Sequence, residues 1–335
     1  LGQHGGRLDW IDAARGIGII LVVYGHAIRG LLNAHLYPPS PALIAQDSLI
    51  YSFHMPLFFF VSGLFAGRIG DRNKWFRSRI ATIVWPYFLW SIAQSLINMA
   101  AGSMVNSRVE WGELLSILWD PIAQFWFLYA LFLCQLLLLL PRPVFYALAL
   151  ISVVATGLFH GIIGLTIRDL PFFAAGVWLT AMRADQASET RRAAVGITIV
   201  AWALFAAALS IRPLLVGPAD SIARVLIGLA GTVGTLGVAR LIAARTPPLV
   251  WLGAASMPIF LLHVIFTAGL RIVITHLHIT LPQPLFLAAL TLAGLIGPIV
   301  VYLIAERLGW SPALGFGRSR RAGGGPAATP AQAMP

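Results

Sequence analysis

The sequence predicts an all-α polytopic membrane protein with about ten transmembrane helices and both termini in the cytoplasm. Three observations predict it. Charged residues make up only 10% of the 335, against about 25% in a soluble domain. Apolar residues make up 59%, and the mean hydropathy is +0.84. The apolar residues come in runs near 20 residues, the length that crosses a bilayer as a helix. So few charges cannot cover a water-facing surface. That excludes a soluble dinucleotide-binding enzyme, a secreted disulfide scaffold and a disordered chain.

Hydropathy places the spans at about 12–31, 48–67, 80–101, 123–140, 143–160, 166–182, 194–211, 221–243, 256–275 and 284–305. Prolines punctuate the connections at Pro38 and Pro39, Pro141 and Pro143, Pro247 and Pro248, and Pro282 and Pro284. Residues 1–317 read as one integral-membrane domain. Residues 318–335 read as a disordered cytoplasmic tail rich in Gly, Ala and Pro. The first apolar run is too long for a cleavable signal and lacks a small-residue cleavage site, so it is expected to act as its own insertion signal. The single cysteine, Cys134, lies in an apolar run and reads as a packed, inert thiol.

Basic residues orient the spans. With the N-terminus in the cytoplasm and ten alternating spans, all but six of the 23 Lys and Arg fall on the cytoplasmic side. The six are Arg29, Arg108, Arg168, Arg212, Arg224 and Arg271. The net charge of +11 is therefore mostly topology, and no nucleic-acid partner is expected. In the eighth span Gly228, Gly231, Gly234 and Gly237 recur every third residue, a pattern for close helix packing.

Ionisable residues inside spans are costly and face cavities or partners. In the first span Asp12 and Arg15 share a helix face at i and i+3. His26 follows Arg15 by 11 positions, about 16 Å up the axis and near the middle of a ~30 Å core. The second span runs the other way through Tyr51-Ser52-Phe53-His54-Met55-Pro56 and on to Ser62-Gly63. Counted from its outer edge, His54 comes within about 5 Å of the depth of His26, so two neighbouring antiparallel spans can bring two imidazoles to one site. Pro56 is expected to open the backbone near Ser52 and Phe53. By the same count His263 lies nearer the inner face, in a separate supporting role. No third ligand is spaced for a metal. The basic segment from Arg68 through Arg77 to Arg79 suits either a positive-inside loop or a clamp for an anionic cytoplasmic ligand.

At these residues the chain resembles the integral-membrane acyltransferase family 3, in its fucose-O-acetylase-like, carbohydrate-acetylating branch. The resemblance rests on Asp12, Arg15 and His26 in the first span and on the stretch from Phe53 through His54 to Gly63. Weaker matches follow at Arg79-Ile80 with Pro86-Tyr87, at Phe125 to Leu128 and at Leu261-Leu262-His263. It implies ten core helices and transfer of an acyl group, usually acetyl from acetyl-CoA, to a hydroxyl of a cell-surface carbohydrate or its lipid-linked precursor. It implies a multi-pass inner-membrane O-acetyltransferase of polysaccharide modification, with no permanently bound cofactor. It carries His26 over as the catalytic residue, with Arg15 in the same motif. A further periplasmic hydrolase-like domain, found in some members, is not expected.

The residues fit that chemistry. Coenzyme A is a cytosolic polyanion, and Arg68, Arg77 and Arg79 lie on the cytosolic side. The thioester would reach mid-membrane, where His26 deprotonates the acceptor hydroxyl. His54 or Ser62 would bind the oxyanion or orient the acceptor, and an acyl-His26 intermediate is the variant mechanism. The alternative class is a proton-coupled transporter or flippase with midplane histidines. Against it, the spans show no clear inverted repeat and the polar residues gather in the first two.

Overall fold

A computed structural model describes residues 6–66, 69–104, 111–182 and 191–317, and all regular structure among them is helical. Eight helices among these residues are long and apolar enough to cross a membrane. The first, α1 (Gly6–Asn33), is the most deeply buried of them.

Two of the ten expected spans are not among these eight helices. The second is split into α2 (Pro41–Tyr51) and α3 (His54–Leu64). Pro56 has no N–H for the Ser52 carbonyl, and its ring crowds that turn. The chain therefore leaves the helix at Ser52 and Phe53 and re-enters with His54 as its first residue. The fifth is α7 (Arg142–Ala155), 14 residues long and shorter than the roughly 20 that span hydrocarbon unaided.

Helix α4 (Arg72–Arg79) continues through a five-residue π-helical turn, Ile80–Val84, into α5 (Trp85–Ala101). Asp71 caps α4 by accepting from the Asn73 and Lys74 amides. Then follow α6 (Trp126–Leu137), α8 (Gly161–Met182), α9 (Arg191–Ile211), α10 (Pro218–Ile242) and the short α11 (Pro247–Ala254). Last come α12 (Ser256–His276) and α13 (Gln283–Arg307).

Small residues set the crossings, as expected where lipid gives helices no hydrophobic reason to associate. Gly16 lies against the Leu249 carbonyl and Gly253 against the Asp12 carbonyl, which locks α11 onto α1. Gly63 and Gly176 each face the backbone of the other's helix, so α3 and α8 touch without side chains between them. The α10 glycines accept large neighbours: Gly228 takes Phe172, Gly231 takes Phe53, and Gly234 takes Trp202. Close packing is thus what that glycine pattern does. Cys134 is fully buried in the main core with Phe59, Phe127 and Phe260. On α9 the side chains of Ile197, Ile199, Val200 and Leu204 remain exposed, as a lipid-facing surface requires.

Candidate active site

His26 lies in the C-terminal half of α1, where it lines a cavity of about 330 Å³. That is the lower end of the range for ligand sites. His54 lines the same cavity, so the two imidazoles that sequence depth matched do share a site. The split in the second span sets the local geometry. Tyr51, the last residue of α2, and His54, the first of α3, meet edge-on with ring centroids 4.5 Å apart. Tyr51 also comes within 6.2 Å of His26.

Each histidine is held in the same way. Nδ1 of His26 lies 2.9 Å from the Val22 carbonyl, Nδ1 of His54 2.7 Å from that of Ile50, and Nδ1 of His263 2.8 Å from that of Phe260. A carbonyl only accepts, so each Nδ1 carries the hydrogen and each Nε2 keeps its lone pair when the ring is neutral. His54 and His263 are 0% exposed, and their Nε2 atoms have no partner. His26 is only half-buried and is the histidine that opens to the cavity.

His263 corrects the depth count. It was expected nearer the inner face, yet its ring meets that of His26 edge-on at 4.8 Å. The hydropathy edge of a span is not its depth. Gly253 sits level with Asp12, and α12 rises from there beside α1, so the two histidines stand at similar heights above one shared contact.

The remaining expected site residues are placed apart from this cavity. Arg15 pairs with Asp12 at 3.3 Å and lies over the Phe65 ring at 4.9 Å, about 16 Å along α1 from His26. Ser62 stands eight positions after His54, about 12 Å along α3, and does not line the cavity. Arg77 is exposed on α4. Arg79 is half-buried with its guanidinium 5.7 Å from the Trp75 ring and its Nε without a hydrogen bond. Arg68 and the tail 318–335 lie outside the described residues. Among the described residues no group of three or more His, Cys, Asp or Glu is placed to hold a metal ion.

Several cavity residues are not among the candidate site residues read from the sequence. Tyr51 has a buried hydroxyl with no partner. Arg29 stacks on its ring at 3.1 Å while holding Asp47 through two hydrogen bonds of 2.8 and 3.0 Å. Gln124 donates to Gln94 across the wall at 2.9 Å. Ala123, beside it, has φ +45°, a left-handed conformation unfavourable for a residue with a Cβ. Arg271 is buried on α12 and lines the cavity as well. The available signal was polarity inside a span: Gln94, Gln124 and Arg271 are all unusual there.

The cavity also bears on how the spans alternate. It is lined by the C-terminal halves of α1, α5 and α12 and by the N-terminal ends of α3, α6 and α13. Those ends meet only if the split second span and the short α7 each count as a traversal.

A family model described as "Acyltransferase domain", that of acyltransferase family 3, matches residues 8–303. The chain belongs to the acyltransferase 3 family. It is 28% identical over 203 residues to the inner membrane protein YcfT of Escherichia coli (strain K12). That match takes in 51% of this chain and 56% of the relative, so the chain spans little more than half of that protein's length. No solved structure gives a significant match. Membership makes this a multi-pass membrane protein of an acyltransferase family. It favours acyl transfer over the transport reading of the same histidines.

Proposed function

We propose that the protein moves an acyl group, acetyl from acetyl-CoA, to a hydroxyl of a carbohydrate or its lipid-linked precursor at the inner membrane. The observation that carries this reading is His26. It is a half-open imidazole with its Nδ1 tied to the Val22 carbonyl, so the basic Nε2 is the atom left for substrate. General-base catalysis needs such an atom within reach of the proton it removes.

The step balances as follows. The acceptor O–H gives its proton to Nε2 of His26 while the oxygen attacks the thioester carbonyl carbon. A C–O bond forms, the C–S bond breaks, and the imidazolium returns the proton to the departing sulfur of coenzyme A. The thioester oxyanion needs donors. Neutral His54 cannot be one, because its only N–H is committed to Ile50. Tyr51, a cavity-lining residue whose buried hydroxyl has no partner, is the donor in this reading. His54, fully buried and edge-on to Tyr51 at 4.5 Å, then positions the Tyr51 ring. Arg77 and Arg79, with Arg68, hold the phosphates of the donor on the cytoplasmic side, where both chain ends also lie.

The test is turnover by purified protein in nanodiscs. Labelled acetyl-CoA is supplied with and without candidate glycans, and release of free CoA and label in the sugar are followed. Acceptor-stimulated CoA release is expected. Proton-coupled uptake of a glycan into sealed vesicles without any CoA release would support the transporter instead.

A further inference from the structure

Beside the histidine cavity lies a second cavity, of about 500 Å³, which shares with it Arg29, Tyr51, Met55 and Trp126. Its charged lining is four arginines, Arg29, Arg168, Arg212 and Arg224, with Asp47 and Asp169. Three of the arginines have carboxylate partners. Arg29 pairs with Asp47 at 2.8 Å, Arg168 with Asp169 at 2.7 Å, and Arg212 with Asp220 at 2.8 Å. Arg224 has none among the described residues. Its guanidinium donates to two neutral oxygens, the Arg168 carbonyl at 3.1 Å and Thr156 Oγ1 at 2.9 Å.

Four guanidinium groups thus face three carboxylates, which leaves one positive charge uncompensated in a partly buried site. An unpaired charge withdrawn from water is costly, so its persistence calls for a ligand of opposite charge. These four arginines, with Arg271 in the neighbouring cavity, are five of the six basic residues that fall against the positive-inside bias; Arg108 lies outside the described residues. A loop preference does not explain them; three are held by carboxylates, and the charge of Arg224 is the one left for an anion.

We infer that the second cavity binds a single negative charge on the acceptor, a carboxylate or a phosphodiester, so that the substrate is an anionic carbohydrate with its reactive hydroxyl beside His26. This rests on the acyl-transfer reading above for the hydroxyl, while the anion subsite rests on the arginines alone. A guanidinium whose hydrogen bonds go to neutral oxygens can turn to an oxyanion and gain charge-assisted bonds. One excess positive charge matches a monoanion better than a pyrophosphate.

Two measurements test it on the full-length protein. The first is the shift in melting temperature with methyl glucuronide, with glycerophosphoglycerol as a phosphodiester, and with neutral methyl glucoside. Stabilisation by one or both anions and not by the glucoside is expected, and the stronger anion identifies the source. The second is the ratio of kcat/KM for acyl transfer to the glucuronide over the glucoside. A preference of roughly 10–150-fold is expected, the size of one lost charge-assisted bond. Arg224→Gln should erase both preferences and Arg224→Lys should keep them in part, which separates loss of charge from loss of fold. Equal response to charged and neutral sugars in the wild type would overturn the subsite. So would a preference that survives in folded Arg224→Gln. Anion binding without transfer to any sugar would sink the transfer reading and leave the subsite standing.

Discussion

His26 on α1 and His263 on α12 meet edge-on, ring centroids 4.8 Å apart, at the edge of the cavity that His54 also lines. Both donate Nδ1–H to a carbonyl of their own helix, so their Nε2 atoms are free for other work. His26 is half-buried and His263 is 0% exposed. On the proposed acyl-transfer reading, that contrast gives substrate contact to His26 and a positioning role to His263.

Replacing His26 with Ala or Gln should lower kcat by about 10²–10⁴-fold, the usual worth of a general base. Gln keeps polarity and size but cannot take a proton, so the two variants should be equally impaired at unchanged membrane level and melting temperature. Transfer from labelled acetyl-CoA checks this. Near-normal activity in His26→Gln would show that another group is the base, and His54 would be the next candidate.

His263→Ala should be milder, and it should not add to the loss in His26→Ala. Residues that act as one unit give non-additive effects. If the double variant is worse than His26→Ala by the full His263 factor, the two rings act independently and the contact is only packing.

The donor side should respond through KM. Arg79→Ala should raise the KM for acetyl-CoA roughly 10–150-fold, since a hydrogen bond to a charged group is worth about 1.5–3 kcal/mol. Arg77 is exposed on α4, and its replacement should have a smaller effect. Steady-state kinetics with varied acetyl-CoA decide; unchanged KM in the singles and the double would leave these arginines as topology determinants.

At the α3–α8 crossing, Gly176→Val should destabilise the protein by about 1–3 kcal/mol, because any Cβ there meets the Phe60 carbonyl. Gly269→Ala, where a Cβ meets open space, is the control and should be silent. Thermal melts of the two variants in detergent read the difference.

Reporter fusions settle orientation. A fusion at Thr246, just before α11, should report the cytoplasm, and one at Ile279, between α12 and α13, the opposite side. The reverse pattern would place the arginine-rich cavities on the cytoplasmic face and undo the assignment of donor and acceptor sides.

Much of this protein was legible in one dimension. Charge content and apolar run length determined the membrane class, because a bilayer excludes charge and demands about 20 apolar residues whatever the fold. Pro56 announced the break at Ser52 and Phe53, since a missing N–H acts locally. Helix rise alone matched His26 with His54, because they sit on consecutive spans with a common reference plane. What the tertiary structure decided is which distant helices touch. His263 reached His26 because Gly253 and Gly16 let α11 dock on α1 and set the height of α12. Arg29, Arg168, Arg212, Arg224 and Arg271 converged on two neighbouring cavities although nothing in their spacing pairs them. Hydropathy and helical period describe each helix relative to the membrane or to itself. The rotation and height of one helix against another come from small-residue contacts between segments far apart in the chain, and those exist only once the bundle has packed.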